Sequence, residues 1–217
     1  MKVQGFLRLF WTTLVFGTLF GFLMNILANP GYLVSQSWEA IVTALSYSST
    51  WTGISMMGFF AYLIVHRVGL DLFRGAKLWN RVQVLLIVFA LFDAVYLRML
   101  AFGNDHMWRY IGEMLVLVVV SWIVATSKAR QTNASAFIPA LFLMIVITLI
   151  EWIPALQATD EIALLWPALA TLVFANAYQV LMLHRFQAPA HGEAMSKSNS
   201  GPKESLKTKK RVSSKSS

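Results

Sequence analysis

Val82-Gln83-Val84-Leu85-Leu86-Ile87-Val88-Phe89-Ala90-Leu91-Phe92-Asp93-Ala94-Val95-Tyr96-Leu97-Arg98-Met99-Leu100-Ala101 is a run of twenty residues with one carboxylate and one guanidinium among side chains that are nearly all apolar. At a helical rise of ~1.5 Å per residue it spans roughly 30 Å, the thickness of a bilayer core. Lipid offers the backbone no hydrogen-bond partner, so a spanning segment must satisfy itself as a helix or belong to a closed barrel. A barrel strand alternates in polarity, and Val84 through Phe89 does not. The run predicts a transmembrane helix.

Five further stretches have comparable character: Phe6–Leu27, Ser49–Val65, Arg109–Thr126, Ala136–Pro154 and Ile162–His184. The expected fold is all-α, a polytopic membrane protein of six transmembrane helices. The second span is the least distinct, because residues 37–65 are weakly apolar throughout. Trp38–Leu45 reads as an interfacial segment, with the crossing starting after Ser48. Lys2 and Arg8 give the first span a charged start like that of a signal peptide. Its apolar run reaches Leu27 without a small-x-small cleavage site, so it reads as a retained helix.

Composition supports the same class. Of 217 residues, 57% are hydrophobic and 13% charged, about half the charged share of a soluble domain. The absence of cysteine excludes a disulfide framework, a thiolate metal site and a cysteine nucleophile.

Lys and Arg collect in cytoplasmic loops. With the N-terminus inside, Lys2, Arg8, Arg67, Arg74, Lys77, Arg81, Lys128, Arg130, Arg185 and seven tail residues are internal. That makes sixteen of the 18 basic residues, leaving Arg98 and Arg109 outside. Both termini are therefore expected in the cytoplasm. Trp38, Trp51, Trp108, Trp152 and Trp166 fall near the outer interface and Trp79 near the inner one, where amphipathic rings favour the boundary.

The expected division is a helical domain over residues 1–185 and a basic tail over 186–217. The tail is poor in apolar residues and is expected to be disordered. Its Lys203, Lys207, Lys209, Lys210 and Arg211 cluster reads either as a solvated topogenic tail or as a contact for anionic lipid headgroups. Nucleic acid is not an expected partner, since no aromatics interleave with these charges.

Ionisable residues at membrane depth usually face a bundle interior. Counted from the span ends, Asp93 lies roughly 12 Å, Arg98 about 5 Å, and Glu113 and Glu151 about 7 Å below the outer boundary, with Arg109 at the interface. Two readings stand. One is a structural network in which Arg98 and Arg109 balance some of Asp93, Glu113 and Glu151. The other is an outward-open polar pocket, to which Tyr47, Ser48, Ser49, Thr50 and Thr52 would add hydroxyls. Arg109 and Glu113, four apart, can pair on one helix, whereas Asp93 and Arg98, five apart, diverge by about 140°. Asn176 and Gln179 are expected to bond across helices.

No constellation for catalysis survives. Gly53-Ile54-Ser55-Met56 has the G-x-S look of an intramembrane serine protease, but the possible bases His66 and His184 lie at the inner ends of their helices, His66 eleven residues or roughly 16 Å from Ser55, and a general base needs contact. No metal-binding or phosphate-loop spacing is present, and no cofactor is implied.

Two groups of strings carry a family resemblance. One is Gly58-Phe59-Phe60-Ala61-Tyr62-Leu63-Ile64-Val65-His66-Arg67-Val68-Gly69-Leu70, with Leu78-Trp79-Asn80-Arg81-Val82-Gln83 and Phe92 through Arg98. The other is Lys128-Ala129-Arg130-Gln131-Thr132-Asn133 through Phe142, with Glu151-Trp152 and Asn176 through Arg185. From about Leu7 to Arg185 the chain resembles the KinB-signalling pathway activation (KbaA) family of spore-forming bacilli. The resemblance implies a regulator in the bacterial cell membrane rather than an enzyme. Its implied partner is a membrane sensor histidine kinase that feeds the sporulation phosphorelay. It brings no catalytic residues. Arg67, Arg74, Lys77 and Arg81 are the candidate partner contacts, with a plain topogenic charge cluster as the other reading. The competing function is a small proton- or cation-coupled transporter or channel using the outer-half carboxylate cluster. Against it, no paired broken helices are evident.

Overall fold

The computed structural model describes residues 3–31, 38–159 and 161–187. Its six long helices are α1 (Val3–Ala28), α2 (Trp38–Leu72), α3 (Ala76–Phe102), α4 (Met107–Gln131), α5 (Ala134–Ala158) and α6 (Ile162–Gln187). Each is long and apolar enough to cross a bilayer, and no strand occurs among the described residues. The tail expected beyond residue 185 lies, from residue 188 on, outside the described residues.

Most helices overrun the apolar stretches that signal them. α3 begins at Ala76 instead of Val82, so Lys77 and Arg81 stand on its first turns. α4 continues past Thr126 to Gln131, and Lys128 and Arg130 fall in its last turn, beside the negative end of the helix dipole. The expected basic loop between α2 and α3 shrinks to Phe73-Arg74-Gly75. That turn needs a left-handed φ of 52° at Arg74 and a φ of 154° with ψ 153° at Gly75, a region open essentially to glycine.

α2 differs most from expectation. Trp38–Leu45 is not a separate interfacial piece but the first turns of one 35-residue helix. Nothing in the segment breaks it: the stretch holds no proline, and its first glycine is Gly53. The hydroxyls of Thr43, Ser48, Thr50 and Thr52 each donate to the carbonyl four residues earlier and so shield polar groups along the helix. At ~1.5 Å per residue the helix measures roughly 52 Å, so it outruns a bilayer core unless strongly tilted.

α5 is regular only in parts. A 3₁₀ turn at Ala134–Ala136 leads into α-helix Phe137–Phe142, then a π-helical segment Leu143–Ile147, then α-helix Thr148–Ala158 with Pro154 inside it. Every side chain of the π segment is buried. α5 and α6 are the most enclosed helices, and α3 the least. α1 stacks on α6 through Phe20 and Phe174, whose ring centroids lie 4.1 Å apart. Gly17 and Gly21 let α1 approach Thr52 and Thr171 closely. Of the tryptophans expected at the boundaries, Trp38 and Trp108 are exposed, whereas Trp51, Trp79 and Trp152 turn into the core.

Candidate functional site: buried polar clusters

The ionisable residues expected in one network divide into separate sites. The first lies where α3, α4 and α5 meet, at the end of the bundle opposite the α2–α3 turn. Arg98 is fully buried there. Its Nη1 donates to the carbonyls of Leu156 (3.2 Å) and Thr159 (2.9 Å). The last carbonyls of a helix have no partner within it and carry the negative dipole end, so a guanidinium is well matched to close α5. Arg98 Nη2 also lies 3.6 Å from Glu113 Oε2, and its guanidinium covers the rings of Phe102 and Tyr110 at 5.2 and 4.8 Å. Arg109 Nε reaches the other oxygen of Glu113 at 3.9 Å, the helical pair expected from their spacing. Two arginines thus share one carboxylate.

The second site lies between α2, α5 and α6. Asn176 on α6 donates from Nδ2 to Glu151 Oε2 (2.8 Å) and to Thr148 Oγ1 (2.9 Å). Ser55 donates its hydroxyl to Asn176 Oδ1 at 2.9 Å. One amide therefore ties three helices together, as expected of Asn176. Ser55, the serine of the elbow-like string, has its hydroxyl committed to this amide. Glu151 belongs here rather than with the arginines, and Gly58 allows it: the Glu151 carboxylate packs against the Gly58 backbone, where a Cβ would overlap Oε1. Gln179 is buried too, but its amide forms no hydrogen bond among the described residues.

Asp93 stands apart from both. It is half-buried on α3, lining a groove of about 200 Å³ toward α5. Leu86, Phe89, Val146, Leu149 and Ile150 form walls of that groove. No hydrogen bond or ion pair to Asp93 forms among the described residues.

At the other end, Arg67, Arg74, Lys77 and Arg81 are all exposed and surround the short α2–α3 turn. Beneath them is a clamp whose residues had no assigned role in the sequence strings. Trp79 Nε1 donates to His66 Nδ1 at 3.1 Å, its indole lies on Gly69, and it stacks on Phe73 with centroids 5.5 Å apart. Lys128, expected in a loop, is mostly buried, with Nζ 3.5 Å from His184 Nδ1 on α6.

The family described as KbaA, KinB-signalling pathway activation in sporulation, matches residues 13–186 of this chain. The KinB-signaling pathway activation protein of Bacillus subtilis (strain 168) is 34% identical over 198 residues, which cover 87% of this chain and all of that protein. No solved structure matches the chain.

Proposed function

Because the chain belongs to the KbaA family, we propose that it is a multi-pass regulator of the bacterial cell membrane, not an enzyme, that activates a KinB-like sensor histidine kinase at the head of a sporulation phosphorelay. The observation that carries this reading is the extent of the match: residues 13–186 take in nearly all of the six-helix bundle, so the shared activity belongs to the helices themselves.

The mechanism is biased association. The bundle packs against the kinase's transmembrane helices and stabilises the signalling-competent state. It shifts that equilibrium only by the difference in its affinity for the two states. Such a role suits a rigid scaffold, and the clusters of Arg98, Arg109 and Glu113 and of Glu151 and Asn176 supply rigidity by cross-linking the helices. The exposed Arg67, Arg74, Lys77 and Arg81 form the contact, on the side that the distribution of Lys and Arg reads as cytoplasmic. The basic tail adds attraction to anionic headgroups, worth roughly 1 kcal/mol per basic residue near the surface.

The test is genetic and biochemical. Deleting the gene is expected to abolish most spore formation in cells that rely on the kinase and to change little in cells lacking it. An equal defect in both backgrounds would refute the kinase reading. Reversing Arg74 and Lys77 to Glu is expected to lower the yield of kinase co-purified from membranes, and an unchanged yield would remove the basic turn from the interface.

A further inference from the structure

A carboxylate at membrane depth normally pairs within its own bundle or faces water. Glu113 and Glu151 follow that rule, and Asp93 does not. It lies nine residues before the end of α3, roughly 14 Å along the helix. It is only partly buried, and the groove it lines toward α5 is otherwise apolar. Beside it runs a continuous stripe at helical spacing, Leu85, Phe89, Phe92 and Tyr96, each more than half exposed on the least enclosed helix of the bundle.

We infer that the α3–α5 groove is the docking site for a partner's transmembrane helix that carries a lysine or arginine at the depth of Asp93. Charge complementarity selects this occupant. A lipid chain would fill the apolar walls but leave the carboxylate unmatched. Among the described residues, a second copy of this chain offers no suitable cation at that depth. Arg98 is enclosed by Glu113, Leu156 and Thr159, Arg109 is engaged with Glu113, and Arg81 is twelve residues, roughly 18 Å, further down α3. The stripe also continues to Lys77 and Arg81 at the proposed cytoplasmic contact, so one helix presents both halves of the interface. This inference rests on the kinase reading and assigns where on the bundle the kinase helix lies.

The chain has no cysteine, so single cysteines report one position each. The full-length protein would be co-expressed with the kinase, with a cysteine placed at Phe89 or Ile150 in the groove, or at Leu19 on α1, and cross-linked in native membranes to cysteines along the kinase's spans. The groove positions are expected to give at least tenfold more heterologous product than Leu19. Asp93→Leu is expected to cut that product about tenfold and Asp93→Asn less, with the amount and elution of detergent-extracted protein unchanged. Kinase that co-purifies but cross-links equally from Leu19, or is indifferent to Asp93→Leu, would overturn the groove while leaving the partnership intact. Homodimeric product from Phe89 would overturn it in favour of self-association. Absence of kinase from both co-purification and cross-linking would overturn the partnership, and the groove's occupant with it.

Discussion

Two glycines of one helix separate a packing role from a plain helical position. At Gly58 a Cβ would overlap Glu151 Oε1 and come within 2.9 Å of Ile147, whereas at Gly53 it would meet nothing within 4 Å. Gly58→Ala is expected to cost about 1–3 kcal/mol through overpacking, while Gly53→Ala gains a few tenths up to ~1 kcal/mol from better helix propensity. Thermal unfolding in detergent would compare them, and equal shifts would contradict the close approach of α2 and α5. At Arg98, substitution by Leu leaves the buried Glu113 with one arginine, Arg109, and the end of α5 open. Breaking a buried pair from one side costs about 3–5 kcal/mol, so a large loss of thermal stability is expected. Arg98→Lys is expected to recover only part of it, because a single ammonium nitrogen cannot serve the two carbonyls and Glu113 from separate nitrogens, nor lay a planar face on Phe102 and Tyr110. The sequence supplies the position of each of these charges along its helix, since counting from span ends yields one coordinate. It did not reveal their azimuths, which is why Glu151 reads from sequence as an arginine partner and in the fold is an asparagine partner. The Arg109–Glu113 pair was legible because both residues lie on one helix four positions apart.

Individual helices were readable in number and order from hydropathy, but their ends were not. A hydropathy window stops where charge begins, and α3 and α4 carry Lys77, Arg81, Lys128 and Arg130 on their own terminal turns. Long basic side chains can remain helical while extending toward the boundary. The π segment of α5 was invisible for a different reason: Leu143 through Ile147 is apolar in any helical geometry. The turn between α2 and α3 depends on the Trp79 clamp. A Cβ at Gly69 would approach the indole to 2.5 Å, so Gly69→Ala is expected to lower the unfolding temperature and to make the turn more sensitive to protease. Trp79→Phe keeps the ring but removes the donor to His66, and a smaller effect is expected. A Trp79→Phe variant as labile as Gly69→Ala would show that the hydrogen bond outweighs the packing.

At the scale of the whole molecule, the strongest expectation is sidedness. Reporters fused after Arg74 and after Asn133 are expected to be active in the cytoplasm, and reporters after Asn104 outside it. A reporter after Arg74 that works only outside would invert the bundle and the assignment of its basic end. The family was legible because its informative strings lie at helix ends and buried contacts, among them His66, Gly69, Trp79, Glu151 and Asn176, where the fold leaves little freedom. The closure of α5 by Arg98 also bears on biogenesis. The guanidinium is translated 58 and 61 residues ahead of the carbonyls it finally holds. Inserted alone, α3 would enter the lipid with a bare cation, at a cost of roughly 2.5–3.5 kcal/mol near mid-depth and less toward the surface. Glu113 follows within fifteen residues, well before those carbonyls, and can neutralise it, which favours insertion of α3 and α4 as a pair, with α5 locking onto a receptacle already waiting for it.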